Sequence, residues 1–100
     1  MTPKTRKALE ASIKHWERNV TGRTTTISSE HCALCRLFLD AGCKGCPVSN
    51  YTGKDICRGT PYVEIARMDD KNENLNSLKF RSLAFKELRF LESLQPKGKP

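Results

Sequence analysis

The chain has little of what would mark it as an enzyme or a membrane protein. Histidine occurs twice and tryptophan once in 100 residues. It contains no His-Glu-x-x-His, no Gly-x-Ser-x-Gly, no phosphate-cradling glycine loop and no His-x-Glu with a following Pro-Cys-x-x-Cys. Metalloprotease, serine-hydrolase, nucleotide and deaminase chemistry therefore lack their motifs. Nothing approaches the roughly 18 consecutive apolar residues of a membrane span. The N-terminal MTPKTRKALEASIKHWERN lacks the apolar stretch of an export signal. Aromatics are 7% of the chain, too few to interleave with basic residues as a stacking platform for single strands. These absences point away from the membrane and from catalysis, and make the cytoplasm the expected compartment.

What the chain does have is cysteine. Five thiols fall as Cys32-x-x-Cys35, seven residues, Cys43-x-x-Cys46-Pro47, ten residues, and Cys57. A Cys-x-x-Cys pair spans the edge of a tetrahedron, and two such pairs complete the coordination of one ion. In a reducing compartment this spacing points to metal rather than to disulfides, and an odd count pairs badly in any case. The expectation is one zinc per chain held by Cys32, Cys35, Cys43 and Cys46, with Cys57 as a substitute or fifth donor. His31 precedes Cys32 and would point elsewhere on a helix, so it is set aside as a ligand. An iron–sulfur cluster is disfavoured because the intervals match neither ferredoxin spacing. A redox Cys-x-x-Cys would call for a βαβ context, which the pattern lacks.

A length of 100 residues with 37% hydrophobic content bounds the architecture to one small domain, residues 1–100. Thr2-Pro3 reads as an N-cap and first helical position, after which Leu9, Ile13, Trp16 and Val20 mark one face of a helix over about 3–20, within an N-terminal segment 1–23. The polar run 21–29 is a linker, with Ser28 or Ser29 capping a second helix that carries Cys32 and Cys35 and stops at Gly42. Residues 43–59 are rich in turn formers and show no periodicity, so their shape is expected to come from something other than a packed apolar face. Thr60-Pro61 opens a third helix to about Met68, closing a cysteine module over 28–68. A loop, DDKNENLN, follows. Ser77 caps the last helix, within 77–95, whose arc of Phe80, Leu83, Ala84, Leu88, Leu91 and Leu94 is broad enough to meet both the first helix and the cysteine module. Residues 96–100 are expected to be a flexible tail. His15 is expected to be an ordinary surface or boundary residue. The predicted fold is small and mostly α: about four helices around a zinc-stabilised loop module, with the terminal helices packed together.

Eighteen basic residues against eleven acidic ones give a formal charge of +7. Segments 1–23 and 78–100 each carry six basic and two acidic residues, so positive charge concentrates on the terminal helices. Opposite the apolar stripe of the first helix lie Lys7, Lys14 and Arg18; the polar side of the last carries Lys79, Lys86 and Arg89. Basic stripes of this kind fit a polyanion.

The pattern Cys-x-Leu-Cys, Cys-Lys-Gly-Cys-Pro-Val, Thr-Gly and Cys-x-Gly-Thr-Pro-Tyr over residues 32–62, with Ile13-Lys14-His15-Trp16-Glu17 ahead of it, resembles a group of small cysteine-rich bacteriophage proteins. The resemblance implies a phage or prophage source and work in the cytoplasm of a bacterial host. It implies no activity. The expected function is a non-enzymatic, zinc-binding module that binds a macromolecule, with nucleic acid or a nucleoprotein favoured. The competing expectation is a phage effector that binds and inhibits or redirects a host bacterial protein or defence complex.

Overall fold

The computed structural model describes residues 2–27, 32–38, 42–54, 57–75 and 77–95. The expected caps Ser28 and Ser29, His31, and the 96–100 tail lie outside them. Five helices are present and no strand among the described residues: α1 (Pro3–Thr21), α2 (Ala33–Phe38), α3 (Pro47–Thr52), α4 (Tyr62–Asp70) and α5 (Leu78–Ser93).

Helix α1 begins where a proline costs no hydrogen bond. Thr2 caps it by accepting from the Thr5 backbone N–H, Pro3 occupies the first turn, and Gly22 ends it at φ 82°, a left-handed conformation that glycine adopts without strain. Helix α5 starts likewise, with the Ser77 hydroxyl accepting from Phe80 N–H. These two helices pack on one another, α2 packs on α1, and α4 packs on α5. A Cβ on Gly22 would meet the Arg81 guanidinium, so the start of α5 lies at the end of α1 and the two run antiparallel. Leu9, Phe80, Ala84 and Ile65 are fully buried at the centre, and the terminal helices thus form the clasp their periodicity predicts.

The count of about four helices is corrected to five. The extra one, α3, lies in the segment expected to be turns, and it has its own apolar anchor: Pro47 and Val48 are buried, and Val48 joins the same core as Leu34, Cys43 and Cys46. The expectation that 43–59 takes its shape from something other than apolar packing is corrected to that extent. Pro47 in the first turn and Gly53 in a left-handed C-cap bracket this one short helix. Between α2 and α3 the loop is tied back by Cys43 N–H donating to the Phe38 carbonyl at 2.9 Å.

His15 is also corrected, from the surface to the interior. Thr5, Ala8, Ser12, His15 and Asn19 form a second buried stripe on α1 beside the aliphatic one. His15 Nε2 meets Thr26 Oγ1 at 2.6 Å, and Asn19 donates from Nδ2 to the Thr26 carbonyl at 3.1 Å. Segment 24–27 is thereby laid back along α1.

A candidate metal centre and its basic surround

All five cysteines line one cavity of about 140 Å³. Each arrives by a different local device. Cys32 lies just ahead of α2, where its Sγ accepts from the Cys35 backbone N–H at 3.4 Å and approaches Ser12 Oγ of α1 at 3.9 Å. Cys35 follows on the helix itself. Cys43 and Cys46 come from the Cys-Lys-Gly-Cys loop, closed by Cys46 N–H donating to the Cys43 carbonyl at 3.1 Å. Cys57 enters ahead of α4, its carbonyl accepting from the Thr60 hydroxyl at 2.7 Å.

Two of these residues hold unusual backbone. Cys43 and Cys57 sit at φ 67° and 61°. A left-handed conformation costs a residue with a Cβ roughly 1–2 kcal/mol, and such strain concentrates at sites where a side chain must be aimed. The sulfurs ring the cavity rather than meeting at a point: among the described residues no three Cys, His, Asp or Glu groups converge closely enough to hold a metal ion. The donor chemistry nevertheless suits a soft or borderline cation. Five thiols and the Glu87 carboxylate line the space, together with His15 and Tyr62, and no lysine or arginine among the described residues does.

Burial sets the proton affinities. The hydrogen bond with Cys35, helped by the Cys35 N–H and the Ser12 hydroxyl, lowers the Cys32 thiol below the ordinary range against the opposing effect of burial. Cys35, the donor in that pair and itself partly buried, is raised. Burial pushes Cys46 up and Cys57 to about 12. Glu87 is raised to about 7, first by burial and then by the neighbouring Cys32. Tyr62 reaches about 12, chiefly through burial, and its hydroxyl donates to the Ile27 carbonyl at 2.6 Å.

Of the groups around this space, the cysteines follow from spacing, whereas Ser12, His15 and Glu87 do not. Glu87 lies within the apolar arc of α5, beside Ala84, Leu88 and Leu91, and that position was the available signal.

Lys7, Lys14 and Arg18 are exposed on α1, and Lys79, Lys86 and Arg89 on α5. Lys79 pairs with Glu73 at 3.1 Å and Arg89 with Glu92 at 3.4 Å, both at the surface. Lys14 and Arg18 share a shallow depression with Glu17, Thr21 and Arg23. No helix among the described residues is long and apolar enough to cross a membrane. Comparison with protein families, curated proteins and solved structures finds no match to this chain.

Proposed function

We propose that this chain is a non-enzymatic zinc-binding module that acts by contacting a macromolecule, with nucleic acid or a nucleoprotein as the favoured partner. The observation that carries the metal half is that all five cysteines line one cavity that no described lysine or arginine lines. Buried acidic donors without a basic counterpart need either protons or an external cation. Zinc supplies the cation, and Cys32, Cys35, Cys43 and Cys46 are the first donor set, with Cys57 available to replace one. To hold the ion, these sulfurs would have to move inward across the cavity. Four thiolates around Zn²⁺ leave a site charge of −2, so the chain stays basic. The cysteine pattern supports a phage origin, and reduced thiols suit the cytoplasm of a bacterial host.

The partner half rests on Lys7, Lys14 and Arg18, which are exposed and oppose the buried face of α1. Reversing all three to Glu tests it by fluorescence anisotropy with duplex and single-stranded DNA and RNA. Wild-type affinity is expected to fall steeply with salt. The triple variant should lose binding while keeping its zinc and its helical signal. Where binding persists, the salt slope should be shallower by about 2–3, at roughly 0.9 for each phosphate no longer neutralised. Unaltered binding by the variant contradicts the assignment.

A second reading has its own observation. Leu78 is 84% exposed, Tyr51 71% and Phe85 49%, with the Arg89 guanidinium 5.4 Å from the Phe85 ring. Exposed apolar groups edged by cations suit a protein contact. An effector that captures a host protein would bind stoichiometrically and tolerate salt, where a polyanion complex would not.

A further inference from the structure

We propose that Glu87 is a metal ligand, supplying an oxygen donor from α5 to the ion held by the cysteines of the central cavity. This rests on the zinc reading above and assigns one of its four positions.

Glu87 is 3% exposed, and it is the only carboxylate in the buried class among the described residues. Its Oε1 is buried and makes no hydrogen bond. The nearby backbone N–H of Tyr62 donates to Thr60 Oγ1 at 3.2 Å and does not satisfy Glu87 Oε1. Buried polar atoms are almost always satisfied, and a buried carboxylate without a partner is among the costliest exceptions. The polar groups that line the same cavity are the five thiols, Ser12, Ser49, the Tyr62 hydroxyl, which donates to the Ile27 carbonyl, and His15, whose Nε2 meets Thr26. None of the described lysines or arginines lines this space.

Charge permits an ionised Glu87 in the coordination shell but disfavours one beside it, and the unanswered Oε1 favours the ligand over a protonated bystander. An ionised Glu87 next to a complete tetrathiolate site would add a third negative charge in a buried space. As a ligand in place of one thiolate it leaves the site at −2, and the displaced sulfur keeps its proton. Zinc accepts such mixed sets, with carboxylate oxygen at about 2.0–2.2 Å and thiolate sulfur at about 2.3 Å. The consequence for the fold is direct, because Glu87 would tie the C-terminal helix to the ion, whereas the cysteines alone anchor only the 32–57 module.

X-ray absorption of the zinc-loaded wild-type chain tests this without altering the protein. One oxygen near 2.0–2.2 Å beside sulfur is expected; an all-sulfur shell overturns the proposal. Cobalt-loaded wild type and Glu87→Gln then identify the donor, with Glu92→Gln on the same helix as control. Glu87→Gln should shift the cobalt d–d bands and weaken binding at least tenfold, since even outer hydrogen-bonding partners of ligands are worth about 10–100-fold. An unmoved spectrum in Glu87→Gln assigns the oxygen elsewhere and overturns the proposal while leaving the zinc site standing. A wild-type chain that binds neither zinc nor cobalt refutes the site as a whole.

Discussion

At the scale of single residues, the interior of this protein is decided by polar groups as much as by apolar ones. Glu87, held at about 7 against an ordinary 4.5 by burial, makes stability depend on pH. Below about 4.5 the carboxyl is protonated in both folded and unfolded chains and burial of its charge costs nothing. As pH rises through 7 the unfolded chain has already ionised and the folded one must follow or keep its proton. A raised folded value thus gives stability that is lost with rising pH. The lowered Cys32 thiol works in the opposite direction over the same range, so the Glu87 contribution is read as a difference: from about pH 5 to pH 8 the metal-free wild-type chain should lose about 2–3 kcal/mol relative to Glu87→Gln. Urea denaturation of both proteins at the two pH values measures that difference; parallel profiles for wild type and variant count against the buried carboxylate. Asn19, 0% exposed, offers a second test, because it holds the Thr26 carbonyl and accepts from the Thr24 hydroxyl. Asn19→Ala should cost about 1–3 kcal/mol by the same denaturation, the range for leaving a buried partner unmet. These residues were the least legible in the sequence. Hydrophobic periodicity assigns polar residues to the outside, and Ser12, His15 and Asn19 are inside because the 24–27 segment and the cavity give them partners.

At the scale of elements, the long helices and the short α4, opened by Thr60-Pro61, were legible, and α3 was not. Helices α1 and α5 each repeat their apolar positions over several turns, and each has a side-chain cap, so pattern and cap agree. Helix α3 has six residues, with Val48 as its buried aliphatic, too short for any period to emerge. Only its bracketing Pro47 and Gly53 announced it. The second helix was expected to carry both Cys32 and Cys35, whereas Cys32 lies just ahead of α2; the expected caps Ser28 and Ser29 and the stretch leading to Gly42 lie outside the described residues. The terminal helices should carry most of the packing energy. Trp16 is buried on α1 against Tyr62, their rings edge-on at 6.3 Å, and Leu88 is buried on α5. Replacing either by Ala should cost about 2–5 kcal/mol in thermal or chemical denaturation. A loss below about half a kcal/mol at both would mean that the helices do not form the joint.

At the scale of the whole molecule, the five helices share one core, and the cysteine cavity opens at its edge, lined by Ser12, His15 and Trp16 of α1 and by Glu87 and Leu91 of α5. The proposed donor set was legible because Cys-x-x-Cys spacing is a local property of the chain. The cavity that gathers Cys57 and Glu87 to the same place was not, since it depends on how α4 and α5 close over the loop. The zinc assignment is the central claim, and its most direct measurement is native mass spectrometry of the chain expressed with zinc, followed by thermal denaturation with and without a chelator. One zinc per chain is expected. Its removal should lower the melting midpoint by about 10–20 °C, as a ligand present at about a hundred times its dissociation constant would in a domain of this size. A metal-free chain whose midpoint a chelator does not move would contradict it.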